Sequence, residues 1–352
     1  MKAAGVLLHA AGEKAKIGAE AVSGEDHMKL AERAEQLLAV DTGRAVERLV
    51  DYIRRAREPR CAGGVLMGLS GGLDSAVLAS LAVRALGREL VHVVFLGERD
   101  TDPDTARKSR LVADWQGLAW ESEDITPQIR AKGHYSSGAM RATARWGFLN
   151  RHVLYRLYRL VTGEMPFMST LRNGDFDRRP VARFIYRLTI RHVEAAFNGR
   201  QLHRREVIER RASAAGACII GAANRSEGMT GWFTPGGADD MPFQPLMGLY
   251  KTQVRQLARH LEVPAEIIRQ APSPDMMRGV TDEVALGIAY EKLDIVLDGI
   301  ERGRTDEELM GEGLRRREIR LVREMNRLSE WKRNPAHVAA VDGGIGGGLR
   351  VG

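Results

Sequence analysis

Apolar residues recur at two different spacings along this chain, and the change between those spacings predicts its fold. Continuous short apolar runs, which are typical of buried strands, cover residues 65–69, 90–96 and 217–221. Helical spacing, in which apolar residues return every three or four positions, covers residues 42–57, 76–86, 251–261 and 282–299. Between residues 65 and 96 the order of elements is strand, glycine-rich turn, helix, strand. We therefore expect an α/β fold with a doubly wound, mostly parallel sheet and helices on both faces.

The same pattern divides the chain into three regions. Residues 1–27 are expected to be a flexible extension, because a regular amphipathic helix starts only at Met28. Residues 28–335 are expected to form one domain, and the glycine-rich residues 336–352 a flexible tail. Within the domain, residues 133–211 read as a helical insert.

The insert is rich in arginine, and these arginines have two possible interpretations. The arginines are Arg141, Arg145, Arg151, Arg156, Arg159, Arg183, Arg187, Arg191, Arg204, Arg205, Arg210 and Arg211. Several stand four apart on predicted helices, which favours a solvated face with ion pairs. The other interpretation is a surface that binds RNA or polyphosphate.

Composition narrows the class of protein. The 352 residues are 44% hydrophobic and 28% charged, which excludes wholesale disorder and a collagen-like chain. The formal charge of +7 suits a pocket for an anionic nucleotide as well as nucleic acid. Cys61 and Cys218 are far apart and lack a CxxC motif, so we expect neither a disulfide framework nor a thiolate zinc site. Cys218 is expected to be a small buried residue of its strand, and the location to be the reducing cytoplasm.

The glycine-rich turn carries the clearest chemistry, with the sequence Ser70-Gly71-Gly72-Leu73-Asp74-Ser75. Where a strand feeds a helix, free backbone N–H groups and the positive end of the helix dipole converge on an anion. The glycines allow the close approach of a phosphate, and the serine hydroxyls donate to its oxygens. A carboxylate fits beside phosphate only with a divalent cation between them. Because no lysine follows the second glycine, the turn is not a Walker motif.

The turn resembles the SGGxDS loop of the N-type ATP pyrophosphatases, which split ATP between its α and β phosphates. Downstream segments resemble motifs of the NAD synthetases, in that family's order along the chain. These are residues 221–227 (GTGNRSE in the family), 231–234 (GYFT), 249–254 (LYKTQV), 272–275 (PSAD), 281–290 (TDExxLGxxY) and 332–335 (KRxxP). The resemblance spans roughly residues 28–335 and implies the adenine nucleotide alpha hydrolase-like fold.

The resemblance implies an ATP-dependent amide-forming reaction. ATP and the nicotinate carboxylate of deamido-NAD would form an acyl-adenylate with release of pyrophosphate, and ammonia would then form the amide of NAD. It also implies Mg²⁺, a homodimer, and a small dinucleotide acid and ammonia as reaction partners. No glutaminase domain is visible, so free ammonia or a separate ammonia donor is expected. Neither a membrane nor nucleic acid is expected as a partner.

Site roles follow from the resemblance residue by residue. Asp74, Glu227 and Lys251 would be catalytic, with Asp74 and Glu227 holding the metal on the departing pyrophosphate. The ATP-binding set would be Ser70, Gly71, Gly72, Leu73, Asp74, Ser75, Lys251 and Ser273. The set that binds deamido-NAD would be Asn198, Arg204, Asp239, Asp240, Lys332 and Arg333.

Departures from the family's motifs cluster on the acceptor side. The motif positions that usually hold Arg, Thr, Gly, Lys, Asp, Asp and Gln here hold Leu202, Ala222, Ala223, Pro235, Ala238, Pro242 and Val280. Asp239 and Asp240 would replace a lost carboxylate after a local shift. Three alternatives to NAD synthesis therefore stay open: a related ligase that amidates another carboxylate, a tRNA-modifying ATP pyrophosphatase, and a nucleotide-binding regulator without catalysis. The tRNA-modifying enzymes ordinarily need a pair of nucleophilic cysteines, for which Cys61 and Cys218 do not look placed.

Overall fold

The structure is a computed structural model, and it describes residues 24–57, 61–145, 155–176, 179–274, 276 and 280–333. Most of the expected N-terminal extension, residues 1–23, lies outside the described residues, as does the whole of the expected tail 336–352. The helix predicted from Met28 begins four residues earlier, at Gly24.

Four parallel strands form the sheet, in the order β3-β2-β1-β4. They are β1 (Val65–Gly68), β2 (Val91–Gly97), β3 (Trp120–Asp124) and β4 (Cys218–Ile219). Val65 of β1 pairs with Val91 on one side and with Cys218 on the other, which makes β1 a central strand. The sequence did not predict β3, because this edge strand is mostly polar and half exposed and so carries no apolar run.

Eighteen α-helices surround the sheet within the described residues. They are α1 (Gly24–Leu37), α2 (Thr42–Arg57), α3 (Leu73–Leu86), α4 (Pro103–Gln116), α5 (Thr126–Ala131), α6 (Gly138–Arg145), α7 (Tyr155–Thr162), α8 (Pro166–Leu171), α9 (Pro180–Leu188), α10 (Ile190–Ala215), α11 (Arg225–Thr230), α12 (Lys251–His260), α13 (Ala265–Arg269), α14 (Asp282–Leu286), α15 (Tyr290–Glu301), α16 (Asp306–Gly311), α17 (Arg316–Leu328) and α18 (Glu330–Arg333). Within those ranges every helix is too short or too polar to cross a bilayer.

Apolar side chains of β1 alternate between two buried layers. Val65 and Met67 pack with α2, α3 and α12 on one face of the sheet, whereas Leu66 packs with α10 on the other. This arrangement confirms the predicted α/β fold with helices on both faces. A third apolar cluster joins α1, α8, α15 and α17 beside the sheet.

The helix predicted over residues 282–299 is wrong in one respect, since it is two helices, α14 and α15. Gly287 has φ +74°, a left-handed conformation that ends α14 without the strain another residue would feel. The backbone N–H of Tyr290 then donates to the Glu283 carboxylate (3.1 Å), which starts α15 at a new angle. The turn brings the Tyr290 hydroxyl within 3.1 Å of Asp282.

The two cysteines correct a second expectation, because Cys61 and Cys218 form a disulfide. Their separation of 157 positions along the chain hid the pairing, but the pairing of β1 with β4, together with the turn from Cys61 to Gly64 before β1, brings their Cα atoms to 5.3 Å. Cys61 is buried and Cys218 half-buried. The pair lies at the amino ends of the strands, whereas the glycine-rich turn follows the carboxyl end of β1. The disulfide therefore stands at the opposite end of the strands from that turn.

Arginines of the insert mostly behave as the first interpretation predicts. Arg205 pairs with Glu209 four residues on (2.7 Å), and Arg211 pairs with Glu123 at the sheet edge (2.7 Å). Arg156, Arg159, Arg187 and Arg191 are exposed and make no ion pair with any described residue. Nothing is described of the side chains of Arg145 and Arg151.

One arginine that sequence reasoning passed over is fully buried. Arg200 on α10 donates to Glu98 (3.0 Å), to Asp100 (3.1 Å) and to the carbonyl oxygen of Met276 (3.2 Å). Glu98 and Asp100 follow the carboxyl end of β2, so this cluster ties α10 and the segment around Met276 to the sheet edge that bears the glycine-rich turn.

Candidate active site

The glycine-rich turn closes on itself and on the neighbouring helix. Gly71 has φ +71°, and a Cβ there would stand 2.7 Å from the backbone nitrogen of Ser109 and 2.9 Å from the carbonyl oxygen of Thr105. Only glycine fits this close approach to α4. The Ser75 hydroxyl donates to the carbonyl oxygen of Gly72 (3.0 Å), which fixes the start of α3. The turn therefore presents the free N–H groups at the start of α3 to the space above the sheet.

Asp74, in the first turn of α3, forms an ion pair with Lys251, the first residue of α12. Its other carboxylate oxygen accepts a hydrogen bond from the Asn224 side chain (3.1 Å). Lys251 is buried, and burial lowers its pKa, but the charges of Asp74, Glu227 and Asp282 outweigh burial and leave the pKa raised. Lys251 is therefore held as a cation beside the turn.

Glu227 stands on α11 in a capping box. The Asn224 side chain accepts from the Glu227 backbone (3.1 Å), and the Glu227 carboxylate accepts from the Asn224 backbone (3.2 Å). Burial, followed by the charge of Asp74, raises the pKa of Glu227 well above its ordinary value. Asn224 therefore bridges both carboxylates that the sequence predicts as metal ligands. Sequence reasoning included Asn224 in a motif but gave it no role.

Asp282 is a second group without a role in the sequence predictions. It is buried near Lys251 and accepts from the Tyr290 hydroxyl, while its Oδ1 makes no hydrogen bond with any described residue. Burial raises the pKa of Asp282 to about 6, although the charge of Lys251 opposes this. The signal was present in the TDE segment, but the spacing alone did not place it beside Lys251.

A buried anchor positions Lys251. Asp294 on α15 accepts from the Ser226 hydroxyl (2.5 Å) and from both the backbone N–H (2.8 Å) and the hydroxyl (2.7 Å) of Thr252. Ser226 in turn accepts from the backbone N–H of Lys251 (2.9 Å). These bonds satisfy N–H groups that the first turn of α12 leaves free and fix the direction of the lysine.

Ser273, predicted to contact the triphosphate, donates to the carbonyl oxygen of Val280 (3.2 Å) and lines the same cleft as the turn. It lies on the segment that leads to α14. Asp275, which completes the PSAD-like motif, lies outside the described residues.

Four of the six predicted acceptor-binding residues line the cleft. Asn198 accepts from the Thr234 hydroxyl (3.0 Å), and Arg204 has buried Nε and Nη2 atoms that make no hydrogen bond with any described residue. Asp239 accepts from Gln201 (3.3 Å) with one oxygen, and its other oxygen makes no hydrogen bond within the part of the chain that the structure describes. Burial raises the pKa of Asp239 to about 7. Lys332 is the fourth.

Lys332 is held by the segment that follows α11. Its ammonium donates to the carbonyl oxygens of Gly231 (2.9 Å) and Phe233 (2.7 Å), and burial lowers its pKa. The last two predicted residues face elsewhere. Asp240 caps the local backbone at Gly236 (2.8 Å), and Arg333 donates to the carbonyl oxygen of Asn326.

A single cleft of about 1140 Å³ joins these two groups. Its lining includes the turn with Asp74, Glu227, Lys251 and Asp282, and also the four residues predicted to bind the acceptor. Within the described residues no three Asp, Glu, His or Cys side chains are arranged to enclose a metal ion. Asp74 and Glu227 nevertheless suit Mg²⁺, which typically takes one or two carboxylates and completes its shell with substrate phosphates and water.

Comparison with known proteins agrees with this geometry. The model of the NAD synthase family matches residues 45–157 and 192–336. A protein of Thermotoga neapolitana named NH(3)-dependent NAD(+) synthetase is 33% identical over 256 residues, which cover 73% of this chain and 84% of that protein. One of Thermotoga maritima with the same name is 32% identical over 284 residues, covering 81% of this chain and 95% of that protein.

Solved structures share the fold at lower identity. An NH3-dependent NAD synthetase from Campylobacter jejuni aligns with a TM-score of 0.58 at 18% identity, over 86% of this chain and 100% of that chain. An NMN synthetase from Francisella tularensis aligns with a TM-score of 0.60 at 20% identity, over 86% and 99%. From the match of sequence over most of its length, this chain belongs to the NAD synthase family.

Proposed function

We propose that the protein joins ammonia to the nicotinate carboxylate of deamido-NAD at the expense of ATP, and so makes NAD. The observation that carries this proposal is the meeting of Asp74, Asn224, Glu227 and Lys251 around the turn, although they come from three separate parts of the chain. The relatives named NH(3)-dependent NAD(+) synthetase support it.

Each residue has a task in the first half-reaction. The backbone N–H groups of the turn and the hydroxyls of Ser70 and Ser75 bind the two outer phosphates of ATP. Lys251 and Ser273 contact the triphosphate from the other side, and Lys251 neutralises charge that grows on the departing pyrophosphate. An oxygen of the acceptor carboxylate bonds to the α-phosphorus as the bond to the β-phosphate oxygen breaks.

The second half-reaction uses the residues predicted to bind the acceptor. Ammonia attacks the acyl carbon, AMP leaves with the electron pair of the acyl–oxygen bond, and a proton is lost from nitrogen. Asn198, Arg204, Asp239 and Lys332 would hold the acceptor so that its carboxylate stands at the α-phosphate. Asp240 and Arg333 contribute only through the backbone that they cap.

We also propose Mg²⁺ as the resident cation, held by Asp74 and Glu227. Such a cation would neutralise negative charge on the departing pyrophosphate. The raised pKa of Glu227 supports this assignment, because a buried carboxylate beside another carboxylate is stabilised when a cation joins them. Chelation with EDTA should remove AMP formation, and added Mg²⁺ should restore it.

We also propose that the protein is a homodimer. Six of the ten exposed large apolar side chains among the described residues lie on α7 and α9, and apolar surfaces of this kind mark interfaces. Light scattering should give twice the mass of the chain, and Phe184→Asp on the outward side of α9 should give the single mass.

We also propose the cytoplasm as the location, where ATP is available.

A second acceptor has specific support. Ala238 and Val280 line the cleft at positions where the family's motif has Asp and Gln, and the Francisella neighbour is an NMN synthetase. Nicotinate mononucleotide, which carries the same reacting carboxylate, is therefore the alternative acceptor. The disulfide of Cys61 and Cys218, at the opposite end of the strands from the turn, does not favour the tRNA-modifying alternative.

Incubation of the purified protein with ATP, Mg²⁺, ammonium and deamido-NAD, followed by chromatography, tests the function. We expect AMP and NAD in equal amounts. AMP without NAD would identify another acceptor, and the absence of both products would refute NAD synthesis.

A further inference from the structure

Residues 158–191 are the part of the insert that the NAD synthase model leaves unmatched. In the structure they include most of α7, with α8 and α9. Helix α9 has three distinct faces. Its buried face packs on Phe176, its outward face carries exposed apolar residues, and Ile185 with the following Thr189 lines the cleft. The unmatched segment is therefore a wall of the cleft and not a surface appendage.

The side of this wall that faces the cleft is uncharged. It consists of two threonines and the apolar or aromatic residues Tyr158, Val161, Pro166, Phe167, Ile185 and Ile190. The described arginines of the segment do not line the cleft. A wall of this composition suits a planar, uncharged ring and offers nothing to a phosphate.

The wall is fixed to the rest of the site. Phe167 packs edge-to-face on Trp232 with ring centroids 4.8 Å apart, and Trp331 on α18 donates to the carbonyl oxygen of Leu171 (3.1 Å). The Tyr158 hydroxyl donates to Ser169 (2.8 Å), which joins α7 to α8. A ligand that binds here meets a surface that is already formed.

The ring of ATP has a different apolar surface available. Val94, Phe95 and Leu96 of β2 line the cleft directly beside the turn that would hold the triphosphate. The acceptor carboxylate must also stand near that turn, at the α-phosphate. A dinucleotide acid has a second ring beyond its two phosphates, and the uncharged wall is the part of the cleft without a task in the reaction.

We propose that the inner face of residues 158–191 binds the ring of the dinucleotide acid that is remote from the reacting carboxylate, so that this segment makes the enzyme prefer a dinucleotide acid to a mononucleotide acid. The proposal rests on the proposed amide-forming function. It assigns specificity to a part of the chain that the family model does not match.

A matched pair of substitutions on α9 tests it. Ile185 faces the cleft, whereas Leu188, three residues on, is 57% exposed and does not line it. We expect Ile185→Ala to raise KM for deamido-NAD by roughly tenfold or more, as the loss of an apolar pocket contact does. KM for ATP and for nicotinate mononucleotide should stay within about twofold of wild type. Leu188→Ala should leave all three constants unchanged.

Thermal melts establish that both variants fold. Light scattering establishes that they keep the wild-type mass, because Leu188 also belongs to the exposed apolar surface proposed as the dimer interface. With the same two checks, the pair Val161→Ala and Leu160→Ala on α7 serves if Ile185→Ala does not fold. An equal rise of KM for both acids, a rise for ATP, or no change relative to Leu188→Ala would overturn the inference while the amide-forming function stands. Wild-type protein that amidates only the mononucleotide would overturn it too. Wild-type protein that amidates neither acid would refute the proposed function itself, and the inference with it.

Discussion

Asp74 and Lys251 form an ion pair in the structure, and this pairing has a chemical reason. A buried lysine without a counter-charge costs several kcal/mol, so a carboxylate must stand beside it until phosphate arrives. Asp74 fills that role and is fixed by Asn224. In the proposed reaction, phosphate oxygens of ATP would offer Lys251 a new anion, and Asp74 would then be free to hold the proposed Mg²⁺.

Asp74→Asn should therefore lower kcat for AMP release by about a hundredfold or more, because it removes a charged contact in the transition state. Chromatographic measurement of the rate of AMP release gives this kcat. Asp51→Asn, on an exposed carboxylate that pairs with Arg54 on α2, is the matched control and should keep full rate. A fully active Asp74→Asn protein would remove Asp74 from the mechanism.

Asp239 makes the stability of the ligand-free protein depend on pH. Its pKa is about 7 in the folded protein because of burial, against 3.8 ordinarily, so folding takes up a proton between those values. The folded state binds more protons than the unfolded state there, and its stability should fall as pH rises from about 4 to about 7.

Calorimetric melts across that range should show this decline, and Asp239→Asn should remove its share of it and raise Tm by a few degrees above pH 7. Asp240→Asn, next along the chain but with its carboxylate on the Gly236 backbone, provides the comparison. Melting curves of Asp239→Asn that run parallel to wild type would contradict the assignment.

At the scale of single residues, the sequence predicted most of the site residues but not the side chains that contact them. The motifs named Asp74, Glu227 and Lys251, and the structure brings them together, while their roles stay predictions. Asn224 and Asp282 received no role, because a bridging amide and a buried carboxylate are visible only once α11 and α14 are placed beside α3.

The turn between β1 and α3 shows how an element constrains its residues. Gly71 cannot carry a Cβ without striking the backbone of α4, whereas the nearest atom to a Cβ at Gly72 is the Ser70 hydroxyl oxygen at 3.2 Å. Backbone atoms of a helix cannot move aside easily, but a hydroxyl can rotate. The two adjacent glycines therefore differ in what they tolerate.

Gly71→Ala should destabilise the protein by more than about 2 kcal/mol and abolish AMP formation, because it adds left-handed strain to a steric clash. Gly72→Ala should cost less in unfolding free energy, since its φ of −88° is open to alanine. Denaturant unfolding of both variants gives the comparison. Equal losses would show that the contact with α4 does not govern the turn.

Element boundaries were predictable where apolar runs were long. Helices α2 and α12 begin where the spacing predicts, as do the central strands within one residue. The edge strand β3 and the break at Gly287 were not predictable from the sequence. A polar strand has no apolar pattern of its own, and a glycine inside a helical pattern ends the helix only in some cases. Tertiary contacts decided both.

For the molecule as a whole, the choice of nitrogen donor is testable. The curated relatives are named NH(3)-dependent, and this chain covers 84% and 95% of the two reported. We expect ammonium chloride to support NAD formation and glutamine alone to give none. At fixed total ammonium the rate should rise with pH above 7, because uncharged ammonia is the nucleophile.

Chromatography of NAD with each nitrogen source measures this, and addition of a separate glutaminase to the glutamine reaction is the control that should restore product. Product from glutamine with the purified chain alone would show that ammonia is generated within it. The domain limits of 28 and 335, drawn from the sequence pattern, and the homodimer, implied by the resemblance, remain predictions.

The pairing of Asp74 with Lys251 joins positions 177 residues apart. During synthesis on the ribosome, the turn emerges early, but the cation that faces it emerges only after the whole insert has been translated. Nascent chains that stop short of residue 251 thus possess the phosphate-binding turn without its lysine. Retention of stalled nascent chains on immobilised ATP would accordingly begin only at lengths that free Lys251 from the exit tunnel, which makes nucleotide capture a marker of the emergence of α12.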